Sequence, residues 1–273
     1  MSQPTSTAVV ALKELRFAKS RMVSLHPALR QQWVLAMATD TVIALAHRLP
    51  VVVVSDQPAL QAVLSAAARR AGCAHPVTVI ADARPGLNEA LQHGAARARE
   101  HGADTVLAAV ADIPGLTPAD IDDLLAATGD GPGRWVVPDS SGRGTTMLLA
   151  RGVPLHPAFG VDSAARHRDG GAEPIELHPR AHCDVDTVDD LQRCRGYGLG
   201  THTASLLAAD GSPAGYQPVT VLEQGRAVTD TGVALVLAPE AVGDLYRLAP
   251  GQRVHAAVDG DRVLSVWWSR PDR

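Results

Sequence analysis

The chain has 273 residues, of which 46% are hydrophobic, 20% charged and 3% aromatic, and its formal net charge is −4. This length fits one large domain, or one domain with a small companion, in an ordinary globular protein. The negative charge argues against a dedicated surface for nucleic acids or anionic membranes. Three cysteines without CxxC spacing, no signal-peptide pattern and no membrane-length apolar segment indicate a cytoplasmic protein without a disulfide framework.

Strands and helices alternate in the apolar pattern of the first 200 residues. Strands are predicted at residues 8–12, 51–54, 77–80, 105–110, 135–137, 145–150 and 174–177. Helices are predicted at residues 27–46, 59–71, 88–101, 117–128 and 188–197, with a short one inside 159–168. The alternation predicts an α/β fold with a mostly parallel (mixed) sheet covered by helices on both faces.

The pattern changes after about residue 209. Residues 210–215 are linker-like, and residues 227–228, 233–237, 253–258 and 263–268 are predicted as short strands. Asp259-Gly260 predicts a hairpin turn between the last two strands. The expected organisation is therefore one domain at residues 1–209 and a small all-β barrel or sandwich at residues 216–273.

Two carboxylates stand close together in Cys183-Asp184-Val185-Asp186-Thr187. On an extended segment, residues two apart point to the same side, so Asp184 and Asp186 can converge. Converging carboxylates repel one another unless a cation, a proton or hydrogen bonds offset them. A divalent cation beside a phosphate substrate would do so. The alternative is an aspartate cap for the helix that begins near Thr187.

A third acid, Asp112, follows the predicted strand at residues 105–110. Ligands of open α/β sheets bind beyond the carboxyl ends of the strands, so this carboxylate is suited to hold Mg²⁺ against nucleotide phosphates. The alternative is an aspartate that forms a turn before a loop.

A basic segment follows the first predicted strand, with Lys13, Arg16, Lys19 and Arg21. Such a cluster suits a triphosphate, and its alternative is a solvated basic face. The chain has neither a P-loop nor a G-x-G-x-x-G motif after a strand, which argues against a nicotinamide cofactor. Its scattered histidines lack the spacing of zinc ligands, and no G-x-S-x-G elbow accompanies them.

Glycines, hydroxyls and basic side chains meet in Gly142-Arg143-Gly144-Thr145-Thr146 and in the segment from Phe159 to Arg168. Glycine lets backbone N–H groups approach an anion, and the threonine hydroxyls add donors. Gly160 and Ser163 lie near the start of a short helix, where free N–H groups attract phosphate. Arg166, His167 and Arg168 are expected to add positive charge. The alternative is plain capping by Asp162-Ser163.

These motifs, in this order, resemble the CofC/FbiD family, the guanylyltransferases of deazaflavin coenzyme F-420 biosynthesis. The resemblance covers roughly residues 8–207. It rests on the following segments: Ala18-Lys19-Ser20-Arg21-Met22, Leu87-Asn88-Glu89-Ala90, Ala111-Asp112-Ile113-Pro114, Gly142-Arg143-Gly144-Thr145, His156-Pro157-Ala158-Phe159-Gly160-Val161-Asp162-Ser163-Ala164-Ala165-Arg166-His167 and Cys183-Asp184-Val185-Asp186-Thr187.

The resemblance implies a MobA-like nucleotidyltransferase fold and the transfer of GMP from GTP to phosphoenolpyruvate, with release of pyrophosphate. The acceptors 2-phospho-L-lactate and 3-phosphoglycerate stay open, as does the chemistry of another MobA-like nucleotidyltransferase. A downstream transferase of the same pathway is a candidate partner. The implied site residues are Asp112, Asp184 and Asp186 for Mg²⁺, Thr145, Gly160 and Ser163 for the acceptor phosphate, Lys19, Arg21 and Asp112 for catalysis, and Asn88 for substrate binding. The charge of Arg166 makes it a further candidate for substrate binding.

The resemblance says nothing about the β-rich tail. A nucleotide- or RNA-binding module is the non-enzymatic alternative, with the tail as an OB-like barrel. Residues 212–273 contain six Arg, no Lys and seven Asp or Glu, so the basic groove that nucleic acid requires is not predicted.

Overall fold

The computed structural model contains two compact units, one at Met1–Thr203 and one at Ala204–Arg273. The structure describes residues 5–12, 27–57, 59–81, 86–208, 216–223, 225–237, 248–259 and 261–267. Among the helices in these ranges, none is long and apolar enough to cross a membrane.

A seven-stranded sheet forms the centre of the first unit, in the order β3-β2-β1-β4-β6-β5-β7. Strands β1 to β4 run parallel, β6 is antiparallel to both β4 and β5, and β7 is parallel to β5. The prediction of a mostly parallel, mixed sheet is confirmed. The strands are β1 (Ser6–Ala11), β2 (Val51–Ser55), β3 (Val77–Ala81), β4 (Thr105–Ala109), β5 (Gly133–Pro138), β6 (Thr145–Arg151) and β7 (Ala172–Pro174).

Helices cover both faces of this sheet. Successive strand residues point to opposite faces, so Val10 packs in one buried cluster with Leu45, and Val9 packs in the other with Leu91. At Gly94 a Cβ would lie 2.3 Å from Val9 Cγ1, so the close approach of helix to sheet needs glycine there. The helices are α1 (Pro27–Ala46), α2 (Leu60–Arg70), α3 (Leu87–Glu100), α4 (Pro118–Ala127), α5 (Ser163–Asp169), α6 (Val188–Tyr197) and α7 (Thr201–Ala208).

The second unit contains a closed five-stranded barrel in the order β10-β12-β11-β8-β9. Its core is built from alternate strand residues, among them Val219, Ala227, Leu235, Val254 and Val263. Of the two predicted architectures, the structure has the barrel, the class to which the OB-fold belongs. The strands are β8 (Tyr216–Leu222), β9 (Arg226–Thr229), β10 (Ala234–Leu237), β11 (Arg253–Asp259) and β12 (Arg262–Trp267).

Some elements differ from the sequence prediction. The strand predicted at residues 174–177 overlaps β7 only at Pro174. The Ile175 N–H still donates to Val136 O of β5 at 2.9 Å, but the Leu177 N–H donates to His182 Nε2 at 3.0 Å. Strand β8 was not predicted; it contains Pro218 and pairs with β11. Helix α7 and a 3-10 turn at Pro179–His182 were not predicted either.

The cysteine pattern led us to expect no disulfide framework, and the structure differs. Cys183 and Cys194 form a disulfide with a Cα–Cα distance of 5.9 Å, while Cys73 is free. The two cysteines are 11 residues apart, so the pairing depends on how α6 folds back on the segment before it and not on a CxxC spacing.

Candidate active site

Three carboxylates meet at one edge of the α/β sheet. Asp112 lies in the loop after β4, and Asp184 and Asp186 lie between the 3-10 turn and α6. One oxygen of each carboxylate lies within 4.8 Å of the others, and all three residues are half-buried. Three convergent carboxylates repel one another, and hard oxygen donors are the ligands that Mg²⁺ and similar ions prefer. The donor set therefore fits a divalent cation.

A backbone hydrogen bond joins the two segments that carry the acidic residues. The Val185 N–H donates to the carbonyl of Asp112 at 3.0 Å, so the middle of the Asp184–Asp186 segment is tied to the loop that bears the third acid. Thr41 of α1 fixes this loop from the other side, because its Oγ1 accepts from the Ile113 N–H at 3.2 Å and donates to Met37 O at 2.9 Å.

The segment before Asp184 is anchored by an ion pair between a half-buried arginine and a buried aspartate. Arg180 Nε donates to both oxygens of Asp120, at 3.0 and 2.8 Å, and Asp120 is fully buried in the first turn of α4. The disulfide adds a covalent link between Cys183 and α6. Thr187 caps α6 in a reciprocal capping box with Asp190. The residue that caps α6 is therefore Thr187 and not Asp184 or Asp186, so the cap leaves these two aspartates to the carboxylate group.

A buried hydroxyl pair lies at the same sheet edge. The Val110 N–H donates to Thr146 O at 2.9 Å, so the start of β6 lies beside the end of β4 that leads to Asp112. Ser163 Oγ lies 3.1 Å from Thr145 Oγ1, and His167 Nδ1 lies 3.0 Å from the same oxygen.

The turn before α5 places an arginine over a glycine. Gly160 has φ 119°, and a Cβ there would lie 3.3 Å from Arg166 Nη2. Asp162 has a left-handed φ of 53° and pairs with Arg143, so the turn is held to the β5–β6 loop. The Ser163 N–H donates to Gly160 O, and the Ala164 N–H donates to Arg143 O. These two N–H groups of the first turn are therefore engaged within the protein, contrary to the expectation of free donors.

Asn88 binds the same turn from α3. Its Nδ2 donates to Phe159 O at 3.1 Å, and its Oδ1 accepts from the Phe159 N–H at 2.8 Å. The side chain that the sequence assigned to substrate binding therefore holds the residue before Gly160.

The comparison with known proteins agrees with these features. A family model described as a MobA-like NTP transferase domain matches residues 29–178. The chain belongs to this family. A phosphoenolpyruvate guanylyltransferase of Mycolicibacterium smegmatis is 38% identical over 212 residues, 75% of this chain and 91% of the relative. One of Geodermatophilus obscurus is 40% identical over 220 residues, 77% of this chain and 97% of the relative.

These relatives confirm the family resemblance that the motifs indicated. The protein is therefore a nucleotidyltransferase. A solved structure from Desulfovibrio desulfuricans G20, assigned as a nucleotide-diphospho-sugar transferase, has a TM-score of 0.55 at 16% identity. It covers 76% of this chain and 96% of that chain, and shows the shared fold alone.

Within this MobA-like family member, the structure brings most of the predicted site residues to one sheet edge. The side chains of Asp112, Asp184 and Asp186 form one group. Thr145 and Ser163 form another, with Gly160 and Arg166 beside it. Lys19 and Arg21 lie outside the described residues. The roles of all these residues stay predictions.

His167 is the functional candidate whose state the sequence reasoning missed. It was expected to add positive charge, but it is 3% exposed. Burial, together with the positive charges of Arg166 and then Arg134, lowers the pKa of His167 to about 4. The imidazole is therefore neutral at pH 7, and the positive charge beside Gly160 comes from Arg166.

Proposed function

We propose that the protein transfers GMP from GTP to the phosphate of phosphoenolpyruvate and releases pyrophosphate, in the cytoplasmic biosynthesis of coenzyme F-420. The observation that carries the proposal is the carboxylate group at one sheet edge with the buried hydroxyl pair Thr145 and Ser163. Relatives near 40% identity that bear the name phosphoenolpyruvate guanylyltransferase supply the choice of substrates.

Asp112, Asp184 and Asp186 would hold Mg²⁺, because small hard cations prefer carboxylate oxygens. When bound, the ion supplies positive charge that offsets the charge on the nucleotide phosphates. The remaining chemistry needs no general base. An oxygen of the acceptor phosphate is already anionic at neutral pH. It forms a bond to the α-phosphorus while the bond to the β-phosphate breaks, and pyrophosphate leaves with that electron pair.

The chain's own residues would position the acceptor. Thr145 and Ser163 offer hydroxyls to its phosphate, and Arg166 offers charge beside Gly160, where the missing side chain leaves room for the phosphate. Lys19 and Arg21 are assigned to the β- and γ-phosphates by the family's basic loop alone. Positioning of two anions and electrostatic stabilisation then supply most of the rate.

A substrate panel tests the proposal. GTP, CTP, ATP and UTP are each combined with phosphoenolpyruvate, 2-phospho-L-lactate and 3-phosphoglycerate, and pyrophosphate release is measured with Mg²⁺ present. We expect the fastest release with GTP and phosphoenolpyruvate, and mass spectrometry should identify the guanylylated product. Preference for another phospho-acid would change the acceptor, and preference for another nucleotide would place the chain with different MobA-like enzymes.

Two matched aspartate variants test the carboxylate group in the same assay. Asp184→Asn removes one charged ligand, and we expect turnover to fall about 100-fold or more, because metal stabilisation is worth several kcal/mol. Asp189→Asn is the control, since Asp189 is exposed in the first turn of α6 and outside the carboxylate group. If Asp184→Asn were as active as Asp189→Asn, the carboxylate group would not be the metal site.

A further inference from the structure

The hydrogen bonds of His167 determine which of its nitrogens carries the proton. The Ala158 N–H donates to Nε2 at 2.8 Å, so Nε2 must be an acceptor and bear no hydrogen. A neutral imidazole then carries its hydrogen on Nδ1, which lies 3.0 Å from Thr145 Oγ1 and must donate to it. The edge-to-face packing of Phe159, with ring centroids 5.1 Å apart, holds the ring in this orientation.

The hydrogen bond from His167 Nδ1 to Thr145 Oγ1 limits the directions in which the hydroxyl groups of Thr145 and Ser163 can donate. Thr145 Oγ1 accepts from His167 Nδ1, so its own proton cannot point back at the imidazole. Thr145 and Ser163 hold two hydroxyl protons and share one hydrogen bond at 3.1 Å. One proton lies between the two oxygens, and the other is left to a third partner. With Ser163 as the donor, Thr145 accepts twice and must donate outward.

We propose that His167 is a positioning residue, which aims one hydroxyl proton of the Thr145–Ser163 pair at the phosphate of the acceptor. The inference rests on the proposed function, because it assumes that the third partner is a phosphate monoester. A phosphate oxygen accepts hydrogen bonds and donates none when fully ionised, so a hydroxyl pair with a fixed outward proton suits it. If His167 did not donate, Thr145 could turn its proton inward and present a lone pair to the anion.

The geometry also separates this role from that of a cationic histidine. An imidazolium carries a hydrogen on both nitrogens, and its Nε2–H would face the Ala158 N–H at 2.8 Å. The guanidinium groups of Arg166 and Arg134 oppose the same charge. His167 therefore acts through the direction of its Nδ1–H.

The tautomer can be observed without any enzymatic assay. Long-range ¹H–¹⁵N correlation spectra of the imidazole nitrogens at pH 7, assigned by the loss of a signal in a His167→Gln variant, should show a protonated Nδ1 and an unprotonated Nε2. A proton on Nε2, or an imidazolium at pH 7, would overturn the inference. Because this result does not depend on turnover, the proposed function can fail separately from it.

Two isosteric variants separate the two hydrogen bonds of the ring. An asparagine amide reaches the place of Nδ1, so His167→Asn keeps a donor to Thr145 and loses the acceptor for Ala158. A glutamine amide reaches the place of Nε2, so His167→Gln keeps the acceptor and loses the donor. We expect His167→Asn to keep the KM for phosphoenolpyruvate within about 3-fold, and His167→Gln to raise it about 10-fold or more, with the KM for GTP unchanged.

A purely structural role of His167 gives a different pattern. In that case His167→Asn and His167→Gln would raise the KM for phosphoenolpyruvate by similar factors, or would raise the KM for GTP as well. Either outcome would contradict the inference. Thr145→Val supplies the last control, because it removes the hydroxyl through which His167 acts. His167→Gln should then raise the KM for phosphoenolpyruvate by less than 2-fold in the Thr145→Val background, and a full additive effect would show that the two residues act independently.

Discussion

Two buried histidines hold the loops of the site with the same set of bonds. Nε2 of His167 accepts from the Ala158 N–H, and Nε2 of His182 accepts from the Leu177 N–H. From Nδ1, His167 donates to Thr145 of β6, and His182 donates to the carbonyl of Pro138 of β5 at 2.8 Å. Each ring therefore ties a loop segment to a strand of the sheet.

The neutrality of His167 should make the protein less stable in acid. Its pKa is lowered from 6.5 to about 4 in the folded protein, so the unfolded chain takes up the proton first as the pH falls. The contribution of the neutral His167 to the free energy of unfolding is complete above pH 6.5 and is lost progressively as the pH falls towards 4. We expect the free energy of unfolding to fall by up to about 3 kcal/mol for this reason.

Urea unfolding between pH 7.5 and 4.5 measures this effect. Other groups titrate in the same range, so the relevant quantity is the difference between the wild type and His167→Asn. The variant lacks the titrating group, and its stability should depend less on pH. Parallel curves for the two proteins would show that the pKa of His167 is not lowered.

The carboxylates of the site were accessible to sequence reasoning, and the state of His167 was not. Asp184 and Asp186 follow from the two-residue period of an extended segment, and Asp112 from its place after a buried strand. The neutrality of His167 depends first on its burial, and then on the charges of the adjacent Arg166 and of Arg134 in β5. Burial and the approach of Arg134 exist only in the folded chain, whereas the local sequence shows a histidine between two arginines.

At the scale of elements, α3 and the turn before α5 are joined through one side chain. Asn88 lies in the first turn of α3 and makes two hydrogen bonds with Phe159. The two residues are 71 positions apart in the sequence. Phe159 in turn packs against His167. Helix α3 therefore fixes both the Gly160 turn and the imidazole that directs Thr145.

Removal of this side chain should loosen the acceptor side of the site. We expect Asn88→Ala to lower the free energy of unfolding by about 1–2 kcal/mol, because the backbone N–H and C=O of the buried Phe159 lose their hydrogen bonds to this side chain. The KM for phosphoenolpyruvate should rise several-fold, with a smaller change for GTP. Gln92→Ala, at an exposed position one turn later in α3, is the control. Measured Michaelis constants that rise mainly for GTP would instead place Asn88 on the nucleotide side.

Some elements are set by partners that a local pattern does not reveal. Helix α7 begins where Asp40 of α1 accepts from the N–H groups of His202 and Thr203, at 3.0 and 2.7 Å. Asp40, which is 5% exposed, thus acts as a cap supplied from 162 residues before His202. By contrast, the capping boxes of α4 and α6 are local, and the starts of both helices were predicted.

At the scale of the whole molecule, the chain combines a family core with an additional unit. The Mycolicibacterium and Geodermatophilus relatives are aligned over 91% and 97% of their length, but over 75% and 77% of this chain. About a quarter of the chain lies outside these alignments, close to the share of the unit at Ala204–Arg273. The transfer chemistry proposed above uses residues of the first unit.

A pair of truncations tests whether the first unit is sufficient. A protein that ends after residue 208 keeps α7 and its cap on Asp40, and we expect it to fold and to transfer GMP within about 3-fold of the full chain. Inactivity of this soluble, folded fragment would give the barrel a part in catalysis.

The matched truncation ends after residue 198 and removes the same barrel together with α7. It deletes the donors from His202 and Thr203, and also the Gly200 N–H that donates to Pro114 O at 2.7 Å beside the Asp112 loop. A buried carboxylate left without its donors destabilises a protein by about 3–5 kcal/mol. The shorter fragment should therefore lose much of its stability and its activity. If both fragments were equally stable, the Asp40 cap would not support the metal-binding loop, and another contact would have to hold Asp112 in place.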